Sequence, residues 1–381
     1  METIPTSRPK REVVSLANLH ESKLPRSASK IPYRRIPNEW DSDRDFKILS
    51  VDGGGMRGIF QATFLGELEK QFLNGKPIGR YFDLITGTST GGIIALGLGK
   101  GLSARELVEF YRVEGRKIFS PQNPLSRKLR GLTRIFKHNY KPDQLRSSLL
   151  GLFGDAKLGD SDTMLCIPSS EGQHRDVCVF KTDHHSDFIM DWQESMVHVG
   201  MATSAAPTYF KALKDGGYKL LDGGLWANNP ILVGVVEAIT SFNVSRRKIK
   251  VLSLGNSLGV RSATNSQMRF GGIWSYRHIV ETIMEFQSEG AIGQACLLVG
   301  ADSVIRVSPN SQLKNPKPIM LDDWTRCVEQ LPGLAEAIVK EKGSEISSFF
   351  LETKCPSYNK KNQSSDSHQT RQTRYDQEVK K

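Results

Sequence analysis

Three glycine-rich stretches carry the residues best suited to chemistry. The first is Asp52-Gly53-Gly54-Gly55-Met56-Arg57-Gly58. Consecutive glycines let a backbone turn sharply and aim several N–H groups at one point. A helix opening directly behind them adds a positive dipole end. Such a loop suits an anion, either a phosphate or a developing oxyanion. The second stretch is Gly87-Thr88-Ser89-Thr90-Gly91-Gly92, a Gly-x-Ser-x-Gly pattern. Between a strand and a helix, that pattern can form a sharp turn that lifts the Ser89 hydroxyl clear of a sheet. The third is Asp222-Gly223-Gly224, closing the apolar run Leu220-Leu221. A serine hydroxyl needs a proton acceptor before it attacks, and Asp222 is a carboxylate held on a tight turn.

Each motif also has a plainer reading. Gly53-x-Gly55-x-x-Gly58 fits the dinucleotide-binding fingerprint. That fingerprint needs an acid at the end of the next strand, which here ends in Thr86-Gly87. Ser89 could cap a helix, and Asp222 could close an Asx-turn. A P-loop is excluded, because Gly101 follows Gly99-Lys100 where Ser or Thr is required. A Ser…Asp…His order needs a histidine after Asp222. Only His278 and His368 follow it, one in an expected helix and the other in a polar tail. His184-His185 lacks a matching pair of metal ligands and reads as a solvated loop.

Strands and helices must position these motifs. Phe46–Val51, Phe82–Thr86 and Lys248–Leu254 are short apolar runs and read as buried strands. Residues 58–73 show apolar residues at helical spacing. A small-residue helix follows over 91–98, and Ser103 opens another with a capping box. Strands alternating with helices predict an α/β fold with a mostly parallel sheet. Residues 1–45 read as a flexible basic arm, and 353–381 as a disordered polar tail.

In this order the motifs resemble the patatin-like phospholipase family. The resemblance runs from about Phe46 to Asn256 and includes Ala202-Thr-Ser-Ala-Ala-Pro-Thr-Tyr-Phe210. It implies a three-layer fold, with a central sheet flanked by helices, over 46–310. Residues 311–352 are then expected as a helical extension packed on that domain. By the same resemblance Ser89 is the nucleophile and Asp222 its only partner. Gly53, Gly54, Gly55, Arg57 and Gly58 form the oxyanion loop, and Gly87 and Gly91 frame the elbow. No metal or organic cofactor is required. More loosely, the chain resembles bacterial members that damage membranes in antiphage defence when a cyclic nucleotide binds. The implied partners are therefore a phospholipid substrate and a cyclic-nucleotide activator, with self-association also admitted.

The 381-residue chain carries 52 Lys and Arg against 41 Asp and Glu, a net +11. That balance asks for an acidic partner. Much of it lies in 115–142, which has eight basic residues and no acid. There Leu125, Leu129, Leu132 and Phe136 fall on one helical face, with Arg127, Arg130, Arg134 and Lys137 opposite. The pattern fits a helix lying on an anionic membrane, or an ordinary surface helix. Without a nucleic-acid module, no nucleic-acid partner is expected. The five cysteines are widely spaced and form no C-x-x-C pair. They fit a reducing cytoplasm, and the basic amphipathic stretch adds an expected peripheral association with membrane. No apolar run is long enough to span a bilayer.

Overall fold

The computed structural model describes residues 35–119, 140–207, 209–257, 275–309 and 319–361. Its centre is a sheet built from β1 (Phe46–Val51), β2 (Leu84–Gly87), β3 (Met164–Glu171), β4 (Asp176–Lys181), β5 (Leu213–Asp215), β6 (Tyr218–Asp222), β7 (Ile249–Leu254) and β8 (Val304–Val307). The strand order is β5-β6-β3-β2-β1-β7-β8, with β4 on the other side of β3. Strands β3, β2, β1, β7 and β8 run parallel. Strands β4, β5 and β6 join antiparallel. This is the expected α/β fold with a mostly parallel sheet.

Helices α1 (Gly58–Phe72), α2 (Thr90–Gly99), α3 (Ala104–Phe119), α4 (Pro142–Phe153), α5 (Met196–Thr203), α6 (Gly224–Ala227), α7 (Ile231–Ser241), α8 (Ser275–Val299) and α9 (Trp324–Ile346) cover the sheet. Side chains alternate across the strands and feed two cores. Leu49 and Val51 of β1 join Ile85, Leu252 and Leu254 under α1, α2, α3 and α9. Phe46 and Ile48 join Leu84, Ile249 and Val251 under α7 and α8. Because both faces are covered, the parallel strands are largely apolar.

The chain leaves β1 toward β2 and β3 on one side and reaches β7 and β8 on the other. Ligands of open α/β sheets bind at the carboxyl ends of strands around such a switch point. The glycine loop follows β1, the Ser89 turn follows β2, and Val51 pairs with Gly87 in register. Two of the three chemical motifs thus meet by strand pairing alone.

The ends of the chain differ from expectation. Residues 35–45 belong to the expected flexible arm, yet Asn38 bridges to Phe242. The Trp40 ring packs 4.6 Å from Phe46 and 5.5 Å from Phe242. One aromatic residue over an apolar sheet edge is enough to dock a polar segment. Residues 353–361, assigned to the tail, also stay attached. The Cys355 N–H donates to the Arg80 carbonyl (2.8 Å) and the Lys361 N–H to the Asp183 carbonyl (3.0 Å). The apolar run at 231–239 forms α7 against the sheet. No helix among the described residues is long and apolar enough to cross a membrane.

Candidate active site

Ser89 sits at the tip of the β2–α2 turn with φ 54° and ψ −122°. A non-glycine residue there costs on the order of 1–3 kcal/mol, so its surroundings must enforce it. Three contacts do so. The Ser89 N–H donates to Thr203 Oγ1 at 2.9 Å. The Thr88 hydroxyl donates to the Ala227 carbonyl at 2.5 Å. Tyr111 OH meets the Thr90 hydroxyl and also donates to the Thr90 carbonyl at 3.0 Å. The flanking glycines are steric necessities. A Cβ on Gly91 would lie 2.2 Å from the Val51 carbonyl oxygen, and one on Gly87 2.1 Å from that of Gly91.

Asp222 ends β6 and lies almost fully buried. The Gly224 N–H donates to its Oδ1 at 2.6 Å, so the Asx-turn reading holds too. The Ser89 side chain also lies close enough to this carboxylate to favour its ionised form. Burial pushes the Asp222 pKa up to about 6, against the lowering effect of those two neighbours. The turn and the chemical contact are compatible, because a carboxylate accepts several hydrogen bonds.

The glycine loop is narrower as an anion site than its sequence implies. The Gly53 N–H is spent on the Asn228 carbonyl (2.9 Å) and that of Arg57 on the Gly54 carbonyl (3.1 Å). The Gly58 N–H donates to the carbonyls of Gly55 and Met56. Gly54 and Gly55 are left, their N–H groups without a partner among the described residues. Both line a cavity of about 260 Å³ that also contains Ser89, Asp222 and Asn228. Gly55 has φ +57°, and a Cβ there would lie 2.5 Å from the Leu321 carbonyl oxygen. The Arg57 side chain points away from the anion position. Its Nε and Nη2 grip the Ile319 carbonyl at 2.9 and 2.6 Å.

A second layer fixes the loop. Arg306 on β8 donates Nη1 and Nη2 to the two Asp52 carboxylate oxygens at 2.9 and 2.6 Å. Gln61 Nε2 donates to the Asp52 carbonyl, and Asn256 Nδ2 to that of Gly53. The remaining cavity wall is apolar, with Ile93, Phe110, Ile118, Leu145, Phe210 and Met284. An activated hydroxyl, an anion cradle and an apolar slot together suit acyl transfer on a hydrophobic substrate.

No histidine lines this cavity among the described residues. His184 and His185, read as a solvated loop, are both buried. His184 bonds to Thr182 and Glu237, and His185 to the Ile36 carbonyl. The docked segment at 35–38 covers them. Cys166, His184 and Glu237 place ligand-type atoms within 4.8 Å of one another. Glu237, however, already pairs with Lys181 and Arg35. Burial pushes the Cys166 thiol up, away from the thiolate a metal needs. The cluster is an ion-pair network. Leu129, Arg130, Leu132, Arg134 and Phe136 lie outside the described residues. The His278 side chain does as well.

Thr203, Asn228, Asn256 and Arg306 emerge only here. Thr203 lies inside a quoted motif and Asn228 four residues beyond Gly224, but nothing local marks their contacts. Arg306→Met would leave the Asp52 charge buried and alone, which costs about 3–5 kcal/mol. Urea unfolding is expected to show a loss of that size, and Asp52→Asn in the same chain to recover most of it.

The patatin-like phospholipase profile matches residues 49–235. A cGAMP-activated phospholipase of Escherichia coli (strain TW11681) is 36% identical over 221 residues, 55% of this chain and 61% of that protein. Another, of Pseudomonas aeruginosa (strain BWHPSA011 / Pa011), is 35% identical over 230 residues, 59% of this chain and 68% of that protein. Patatin-like protein 4 of Arabidopsis thaliana is 33% identical over 339 residues, 77% of this chain and 82% of that protein. The chain spans a little over three fifths of the Escherichia coli relative. The matched region holds the glycine loop, the Ser89 turn and Asp222, and on this footing the chain belongs to the patatin-like phospholipase family.

Proposed function

We propose that the protein is a serine acyl hydrolase acting on fatty-acyl esters of phospholipids. The observation that carries this is Ser89 beside the buried Asp222 carboxylate, both lining one largely apolar cavity. Asp222 takes the Ser89 proton while Oγ attacks the ester carbonyl. The developing oxyanion is met by the N–H groups of Gly54 and Gly55, and the acyl chain lies along the apolar wall. The lipid alcohol leaves with the proton, and water then hydrolyses the acyl-enzyme. The chemistry is complete with side chains and backbone.

The finer reading is a membrane-degrading effector switched on by a cyclic nucleotide. Relatives named as cGAMP-activated phospholipases support it. Antiviral defence is the role that the resemblance implies. Peripheral contact with anionic lipid falls to Leu129, Leu132 and Phe136, flanked by Arg130 and Arg134. The plain alternative is a constitutive lipid esterase, favoured by the match to a patatin-like protein across most of both chains.

Three outcomes are expected. Ser89→Ala removes both ester hydrolysis and labelling by a fluorophosphonate; hydrolysis that survives takes Ser89 out of the mechanism. The pH profile of kcat/KM follows Asp222. The base works only when ionised, so activity is full above its pKa of about 6 and falls as pH drops through it. Adding cGAMP raises phospholipid hydrolysis at least tenfold, and equal rates with and without it favour the constitutive enzyme.

A further inference from the structure

Asn228 is 8% exposed and lies on the wall of the Ser89 cavity. Its backbone is fully used: the N–H donates to Gln287 Oε1 (2.8 Å) and the carbonyl accepts from Gly53. Its side-chain Oδ1 accepts no hydrogen bond from any described residue. A buried amide oxygen without a partner costs about 1–3 kcal/mol, so it needs a reason to be there. Its position gives one. A Cβ on Gly53 would lie 2.7 Å from Asn228 Oδ1 and 3.3 Å from Ser89 Cβ. A Cβ on Gly224 would lie 2.9 Å from Asp222 Oδ1 and 3.3 Å from Asn228 Oδ1. The amide oxygen therefore shares this corner of the cavity with the serine turn and the carboxylate.

Two acceptors face this corner of the cavity, one charged and one neutral. A group that satisfies both must donate two hydrogen bonds from one small atom. Water does so, whereas a lipid hydroxyl has a single proton to give. The geometry points to Asn228 Oδ1 as the second acceptor for the water that hydrolyses the acyl-enzyme, an inference that rests on the hydrolase reading above. One O–H of that water points at Asp222 and the other at Asn228, which aims a lone pair at the acyl carbon. The water oxygen bonds to that carbon while its proton passes to Asp222. The tetrahedral intermediate then collapses, the carbon–Oγ bond breaks, and Ser89 takes the proton back as the fatty acid leaves. No oxidant, metal or further reactant enters the balance.

Burst kinetics separate the two half-reactions. The Asn228→Ala protein, given a p-nitrophenyl fatty-acyl ester, is expected to release one equivalent of nitrophenol and then turn over about 100-fold more slowly than wild type. Intact-mass spectrometry is expected to find the acyl group held on Ser89. Fluorophosphonate labelling, which needs Ser89 but no water, stays within threefold of wild type. Hydroxylamine, a stronger nucleophile independent of the two-acceptor site, restores turnover. A thermal melt confirms the fold, and Asn228→Ser, which keeps a small polar group, serves if the alanine protein does not fold. Unchanged turnover overturns the proposal, and so does labelling that slows in step with turnover without acyl-enzyme. A wild-type protein that neither labels nor hydrolyses removes the hydrolase reading, and this water site with it.

Discussion

The first turn of α2 lies against the end of β1 at a separation that only glycine allows. Gly91 faces the Val51 carbonyl so closely that a single methyl group would overlap it. Everything chemical depends on that approach. It sets Ser89 beside the glycine loop and forces the serine backbone into a disfavoured region. It also leaves the hydroxyl exposed to the cavity instead of to the sheet. The cost is local and is offset by hydrogen bonds from distant parts of the chain, through Thr203, Ala227 and Tyr111. A strained turn fixed in this way is preorganised, so little rearrangement is left for the reaction itself.

The glycine loop opposite is fixed by charge. Asp52 loses hydration on burial, and the bidentate contact with Arg306, with Ser288 beside it, favours its ionised form there. That pair ties the end of β1 to β8. Meanwhile the Ile319 and Leu321 carbonyls hold Arg57 and Met56 from the segment leading into α9. The loop is therefore clamped from the sheet below and from the carboxy-terminal part of the chain above. Any ligand or partner that moved residues 319–321 would move Gly55 as well.

Asp222 obeys the opposite logic. It has no cationic partner among the described residues, and burial raises its pKa toward the range where a base is effective near neutrality. Two acids thus sit close to one cavity with different tasks. Asp52 is neutralised by an arginine and serves structure. Asp222 is kept poorly solvated and available to a proton.

Much of this was legible in the sequence. The strands flanking the first two motifs, the helices behind them and the α/β class follow from local periodicity and glycine content. So do the tight turns that hold Ser89 and Asp222, because a turn's steric needs are written into the residues that make it; their pairing is what the family resemblance implies. The docked segments at 35–45 and 353–361 were not legible, since composition marks them as polar while Trp40 packs on Phe46 and Phe242 and Cys355 is buried with its N–H on the Arg80 carbonyl. His184 and His185 looked solvated for the same reason. Nor could the sequence show that Gly53, Arg57 and Gly58 spend their N–H groups inside the fold. It could not show that Arg306 reaches Asp52 across 254 positions, or that the Asn228 amide ends beside the carboxylate. Local backbone chemistry selects which residues can react. Only long-range packing decides which polar groups are already satisfied, and which of the unsatisfied ones, such as Asn228 Oδ1, come to line the cavity.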